Sequence, residues 1–429
     1  MTDRLCVHPG RPYRGAIQPP GDKSISHRAL LLAGLAEGES ELAGVNSGED
    51  CTRTRAALEQ AGARYERRGE AWRVTGTPGL SPGQELAVEC GNSGTTLRVL
   101  AGALAGYPVR ATYSGDASLN RRPVARVVEP LRRMGARVSA RDGDRFPPLT
   151  VEGGGLRGIE HHSPVPSAQV KSCVLLAGLR AEGRTRVIEP ALSRDHTERM
   201  LPHWGVPVER HGLCAAVQGG SRLRGARFTV PRDPSAALFW VVAALLVPGS
   251  EVEIHDLGLN PTRVGALRVL ERMGADLDVA LEPSDEEPRG RVRARSSALH
   301  AADIPAEEIP ALLDELPVLA VAQAAAAGTS TVRGAGELRV KESDRIEATA
   351  AALRALGVEV ETREDGWSVG GRAGRPFEPG RVDSRGDHRI VMSAAVAALA
   401  ARDDVWIENI EAVVTSDPGF LGTLRRWQP

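Results

Sequence analysis

LRRMGARVS, residues 131–139, carries a change of structure: a helix end, a glycine, then apolar and polar side chains alternating at the period of a strand. Gly135 stands where a helix closes in the left-handed conformation, which costs other residues roughly 1–2 kcal/mol. The same transition recurs in LEQAGARYE (58–66), LPHWGVPVE (201–209), LERMGADLD (270–278) and LRALGVEVE (353–361). The glycines are Gly62, Gly135, Gly205, Gly274 and Gly357, at spacings of 73, 70, 69 and 83 residues. A period near 70 is too long for a solenoid and long enough for a small α/β unit, and six such units fill 429 residues.

Six segments are apolar nearly all round and are predicted to be helices buried within domains: RALLLAGLA, LRVLAGALAG, VKSCVLLAGL, AALFWVVAALL, LAVAQAAAA and VMSAAVAALAA. A sixth strand is missing at the C-terminus, because the chain ends soon after LGTLRRW, and the N-terminal RLCVHPG can supply it. The expected division is therefore residues 20–235 as one domain and 1–19 plus 236–429 as the other. The linkers fall near GAIQPPG and VPRDPSA, both rich in proline or glycine.

Composition narrows the function. The 54 basic and 55 acidic residues are interspersed and leave a net charge of -1, so no global field draws nucleic acid or an anionic membrane. The six tryptophans do not interleave with basic residues as a single-strand nucleic-acid platform requires. Cys6, Cys51, Cys90, Cys173 and Cys214 show no zinc-site spacing and are expected to be buried free thiols. His161 and His162 are expected to be a loop pair rather than metal ligands, since neighbours on an extended chain point to opposite faces. No signal peptide and no run of about 18 apolar residues occurs, which reads as a cytoplasmic protein.

The chemistry lies at helix starts. GDKSISHRALLLAGLAEG, residues 21–38, gathers Lys23, His27 and Arg28 where the helix dipole already places roughly half a positive charge, so an external anion is expected. The pattern recurs with Lys341, Glu342 and Arg345 in ELRVKESDRIEATAAALRALG, where Ser343 or Asp344 serves as cap, and with Asp387, His388 and Arg389 in SRGDHRIVMSAAVAALAA. ECGNSGTTLRVLAGALAG opens with Asn92, Ser93, Gly94 and Thr95, which leave backbone N–H groups open to a ligand. Converging, such starts make a strong field for phosphate and carboxylate groups. GDKS is not the end of a nucleotide-binding P-loop, because Asp22 separates Gly21 from Lys23 and Ala16 stands where the first glycine belongs.

GDKSISHRALLLAGLA, GNSGTTLR, NRRPVA, SAQVKS, DELP, VKESDRI and GDHRIVMS follow one another along nearly the whole chain. In that order they resemble the 5-enolpyruvylshikimate-3-phosphate synthases, the 3-phosphoshikimate 1-carboxyvinyltransferases. The resemblance implies an α/β fold of two similar domains, each of three βαβαββ units around a pseudo-threefold axis, an inside-out barrel with the active site in the interdomain cleft. It implies transfer of enolpyruvyl from phosphoenolpyruvate to the 5-hydroxyl of shikimate 3-phosphate, with no metal or organic cofactor, in a monomer that binds only small molecules.

Carried over to this chain, the resemblance implies that Lys23, Ser24, Arg28, Ser167, Gln169, Asp314 and Lys341 bind shikimate 3-phosphate, with Arg194 a weaker addition. Phosphoenolpyruvate is expected at Lys23, Gly94, Arg122, Gln169, Arg345 and Arg389. Asp314 is the expected base at the 5-hydroxyl, Glu342 the group exchanging a proton at the methylene, and Lys23 the assisting cation. His388 either shuttles a proton or donates a hydrogen bond. Two other readings stand beside this one. The sister enzymes acting on UDP-N-acetylglucosamine usually have Lys-Asn where this chain has Lys23-Ser24, and a reactive cysteine where it has Ala117. A non-catalytic anion-binding scaffold would avoid carboxylates such as Asp314 and Glu342 among its cations. This chain departs from many relatives at Thr415, where they have a lysine, and Ala168 marks a subgroup often tolerant of glyphosate, while Gly94 leaves room of the kind found in sensitive members.

Overall fold

All six apolar segments form helices in the computed structural model, which describes residues 3–429: Lys23–Gly34, Gly94–Ala105, Ala168–Gly178, Pro234–Leu246, Leu316–Ala325 and His388–Leu399. Burial follows their composition. In the fourth, every residue from Pro234 to Leu245 is buried, and all of His388–Leu399 is. Close helix packing needs a residue without a side chain at one place. A Cβ on Gly102 would lie 2.2 Å from the carbonyl oxygen of Cys173 on the neighbouring helix.

The five repeat glycines all have positive φ, from +77° at Gly357 to +109° at Gly62, and a strand follows each. Those strands are Arg64–Arg68, Arg137–Ala140, Val208–His211, Asp276–Glu282 and Glu359–Arg363.

The strands assemble into six small sheets with one recurring plan. Arg110–Ser114, for example, pairs in parallel with Glu85–Glu89 and antiparallel with Phe146–Glu152, which also pairs antiparallel with Arg137–Ala140. Alternation along Glu85–Glu89 buries Leu86 and Val88 and leaves the glutamates in water. Arg227–Thr229 supplies the parallel edge of the first sheet, beside Glu39–Ala43. The sixth strand comes from the N-terminus, as the sequence predicts: Arg4–Val7 pairs antiparallel with Val405–Glu408, whose other side carries Gly380–Asp383 in parallel.

The chain divides into two compact units, Gly21–Val230 and the pair of segments Met1–Pro20 and Pro231–Pro429, each with its own hydrophobic core. All five cysteines are free. Cys51, Cys90 and Cys173 are buried, but Cys6 and Cys214 are only partly so, because both lie on strands of small sheets with one solvated face. The histidine pair lies on the strand Glu160–His162 rather than in a loop, and the strand's alternation buries His161 while exposing His162. Among the described residues, no helix is long and apolar enough to cross a membrane.

Candidate functional site

Within Gly21–Val230, three helix starts are tied together. Asp22 caps Lys23–Gly34 by accepting from the Ile25 N–H at 2.8 Å, and Lys23 Nζ lies 3.1 Å from Asp50 Oδ2. The basic helix start thus carries its own counter-charges, which a tally of Lys23, His27 and Arg28 alone overlooks. Arg28 is 4% exposed and donates to Thr197 Oγ1 at 2.7 Å, Ser24 O at 2.8 Å and Ser172 Oγ at 2.7 Å. Its guanidinium thereby joins the first helix to the third. His27 is held well below the usual imidazole range by burial and then by the charges of Lys23 and Arg28. Its Nδ1 meets Thr54 Oγ1 at 2.7 Å, Thr54 meets Thr96 at 2.7 Å, and Thr96 donates to Ser93 Oγ at 2.7 Å. This hydroxyl chain runs from the first helix to the start of the second.

Ser93 caps Gly94–Ala105 by accepting from the Thr96 N–H at 3.0 Å. Arg98, one turn in, was not singled out by the sequence, yet its Nη1 donates to Gln169 Oε1 at 2.8 Å and its Nη2 to Pro123 O at 3.0 Å. Gln169 in turn donates to Thr95 Oγ1 at 3.2 Å. A Cβ on Gly94 would lie 2.7 Å from Arg98 Nη1, so this glycine lets the Arg98 guanidinium approach the helix start, while Arg122 Nη1, at 3.7 Å, would be in ordinary contact with it. Arg122 donates to Asn92 O and to Ser118 Oγ, each at 3.3 Å, and to the Asn92 side chain. Ser167 caps Ala168–Gly178 through its hydroxyl, and its N–H donates to Glu189 Oε1 at 3.1 Å.

Beneath Ser167, Lys171 sits buried between Glu189 at 2.7 Å and Glu198 at 2.8 Å. Burial works against the Lys171 charge, but the two carboxylates outweigh it and hold the ammonium above its ordinary range. Arg194 is half-buried just ahead of the short helix His196–Met200.

The second cluster belongs to the other unit and is organised around Arg345. Its side chain is 1% exposed and faces three carboxylates: Asp387 at 2.8 Å, Glu342 at 2.6 Å and Asp314 at 3.3 Å. Burial opposes the charge, but Asp387, then Glu342 and Asp314, more than offset it, so Arg345 is held above even its ordinary value. For Asp387, burial opposes ionisation and Arg345 outweighs it, leaving the carboxyl below the usual range. Lys341 Nζ lies 3.6 Å from Asp314 Oδ1, and Arg389 Nη1 donates to Asp314 O at 2.7 Å.

Both helix starts again carry an aspartate cap. Asp344 accepts from Ile346 N and Glu347 N, each at 3.2 Å, and Asp387 accepts from Arg389 N at 2.9 Å while Ser343 Oγ donates to it at 3.0 Å. His388 is buried at the first position of its helix. Thr415 ends a short 3-10 turn, its hydroxyl donating to Ala412 O at 2.7 Å.

The structure therefore groups Asp314, Lys341, Glu342, Arg345 and Arg389 in one unit, and Lys23, Ser24, Arg28, Gly94, Arg122, Ser167 and Gln169 in the other. Each group combines cations with oriented backbone N–H donors, the equipment for ligands carrying phosphate and carboxylate. The second adds paired carboxylates able to move protons.

The family model of EPSP synthase (3-phosphoshikimate 1-carboxyvinyltransferase) matches residues 7–424. A 3-phosphoshikimate 1-carboxyvinyltransferase of Synechococcus sp. (strain JA-3-3Ab) is 50% identical over 432 residues, covering 99% of this chain and 97% of its own. One of Anaeromyxobacter sp. (strain Fw109-5) is 50% identical over 427 residues, covering 99% and 98%. An EPSP synthase structure from Acinetobacter baumannii superposes with a TM-score of 0.88 at 38% identity, covering 99% of this chain and 98% of that one. The enolpyruvyl transferase NikO of Streptomyces tendae, at 19% identity and a TM-score of 0.81 over 100% of this chain and 98% of its own, shares the fold.

Proposed function

From the premise that this chain belongs to the EPSP synthase family, we propose how its residues divide the work of that family's reaction. The reaction transfers the enolpyruvyl group of phosphoenolpyruvate to shikimate 3-phosphate in aromatic biosynthesis and releases phosphate. Both substrates carry a phosphate and a carboxylate. Two like unit charges 4 Å apart repel by about 4 kcal/mol at an effective dielectric constant of 20, so bound cations must offset several kcal/mol.

Shikimate 3-phosphate is met by Lys23, Ser24, Arg28, Ser167, Gln169, Asp314 and Lys341, and phosphoenolpyruvate by Lys23, Gly94, Arg122, Gln169, Arg345 and Arg389. Asp314 accepts the proton of the 5-hydroxyl as its oxygen adds to the enol carbon bearing phosphate. Glu342, protonated at the outset, delivers its proton to the methylene carbon and takes one back as elimination breaks the bond to phosphate. Lys23 stabilises the charge on the leaving group, and the proton taken up by Asp314 departs with phosphate, so both carboxyl groups return to their starting states. The single observation carrying this assignment is that Arg345 holds Asp314 and Glu342 at 3.3 and 2.6 Å, with Lys341 beside Asp314. A pure anion trap gains nothing from acids set among its cations, whereas a proton-transferring site needs them. Arg345 also orients both acids, and its contact with phosphoenolpyruvate requires a ligand oxyanion to take the place of one of those carboxylates.

Units Gly21–Val230 and Pro231–Pro429 with the N-terminal segment are proposed as the two domains, in a cytoplasmic monomer whose partners are its small-molecule substrates. Phosphate release from phosphoenolpyruvate tests the assignment. Release is expected only with shikimate 3-phosphate, and Asp314→Asn should lower kcat at least 100-fold while leaving that substrate's binding within a few fold. Release driven instead by UDP-N-acetylglucosamine would favour the sister reaction, and full activity in Asp314→Asn would remove this residue from the role of base.

A further inference from the structure

Outside both clusters, the pairing of Arg4–Val7 with Val405–Glu408 assembles a third group of reactive side chains. Cys6 stands opposite Trp406 and Val7 opposite Val405, so the antiparallel register carries His8 alongside Asp404. Cys6 and His8, two residues apart on an extended segment, project to the same face. His8 Nδ1 lies 2.7 Å from Asp404 Oδ1 and Cys6 Sγ lies 3.6 Å from Asp404 Oδ2, and one donor atom from each residue falls within 4.8 Å of the others.

We propose that Cys6, His8 and Asp404 bind a divalent transition metal of the Zn²⁺ type, with water completing the coordination. The donor set decides the class. A thiolate and an imidazole beside one carboxylate suit zinc, cobalt or nickel, whereas magnesium and calcium select all-oxygen sites. The geometry fits as well. Zinc bonded to sulfur at about 2.3 Å and to nitrogen and oxygen at about 2.0 Å sets tetrahedral edges of roughly 3.3–3.5 Å, which the sulfur–oxygen pair already approaches. The His8–Asp404 pair has to open, and both side chains have room to do so, at 51% and 42% exposed. Cys6 lies on the strand Arg4–Val7, while His8 and Asp404 directly flank the paired strands, one just after Val7 and the other just before Val405, so binding organises side chains on a backbone that the sheet already holds close. None of the three belongs to the substrate-binding clusters, and the metal's effect is to clasp the N-terminal strand to the sheet that it completes.

Cobalt titration of the reduced full-length chain tests the site. Co²⁺ should give a saturable thiolate-to-cobalt charge-transfer band in the near ultraviolet that Zn²⁺ abolishes by competition. Cys6→Ser should remove the band, and Cys214→Ser, at the other partly buried thiol, should leave it intact. His8→Ala and Asp404→Asn should each weaken Co²⁺ at least tenfold, which is about 1.4 kcal/mol. Absence of the band in the unaltered chain, its survival in Cys6→Ser, or an affinity unchanged within twofold in both His8→Ala and Asp404→Asn would overturn the proposal.

Discussion

Asp417 is 4% exposed, and its carboxylate accepts from the Gly419 N–H at 3.0 Å. Burial raises its pKa from the ordinary 3.8 to about 6, with nearby Asp233 adding to the effect and the backbone donors opposing it. Below pH 3.8 both the folded and the unfolded chain hold this proton, and the group leaves stability unchanged. Between 3.8 and 6 the unfolded chain releases it while the folded chain does not, so stability falls as pH rises and is level above 6. A shift of this size corresponds to about 3 kcal/mol. Asp417→Asn, which keeps an oxygen acceptor and cannot ionise, should therefore gain on the parent through this window. The difference between their urea midpoints is expected to widen from pH 4 to pH 6 and then hold. A difference independent of pH would mean that Asp417 is as acidic folded as unfolded.

For whole elements, the glycines separate two kinds of constraint. At Gly102 an added methyl group meets backbone, 2.2 Å from Cys173 O and 2.5 Å from its Cα, and neither atom can yield unless the two helices part. Gly102→Ala should cost about 3 kcal/mol. At Gly135 the nearest atom is Gly155 O at 3.7 Å, so Gly135→Ala is charged only for its φ of +108°, roughly 1–2 kcal/mol. Urea denaturation should rank Gly102→Ala as the more damaging, and the reverse order would show that the helix pair relaxes freely.

The second kind of glycine was plain in the sequence, because the helix end before it and the alternation after it are local. The six apolar helices were legible for the same reason. The edge strand Arg227–Thr229 was not, since three residues carry too little periodicity to reveal a partner as remote as Glu39–Ala43. The site divides the same way. Lys23, Lys341, Arg345 and Arg389 stand out as charges at helix starts, but Arg98 and the buried Lys171 with its two glutamates acquire meaning only when separate helices meet. The burial of Arg345 among three acids was equally hidden, because a charge in a helix's first turn reads as pointing outward until Asp314 and Asp387 are brought to it.

In the whole molecule, one unit is continuous and the other is not. Gly21–Val230 contains every strand of its own three sheets, with Arg227–Thr229 returning to close the first. Pro231–Pro429 lacks two of its own: Arg14–Ala16 lines the edge of Glu251–Gly258, and Arg4–Val7 covers Val405–Glu408. A fragment Gly21–Val230 is expected to fold alone, with near-ultraviolet dichroism and a cooperative urea transition. Pro231–Pro429 alone should show neither until residues 1–20 are restored, and a cooperative transition without them would make the two N-terminal strands dispensable.

The reach of Arg4–Val7 across the chain also fixes an order of events at the ribosome. The strand is translated long before Val405–Glu408, its partner in the sheet. Until that partner is made its amide and carbonyl groups lack the pairing they have in the sheet, an adhesive edge that a nascent polypeptide must shield or lend to a chaperone.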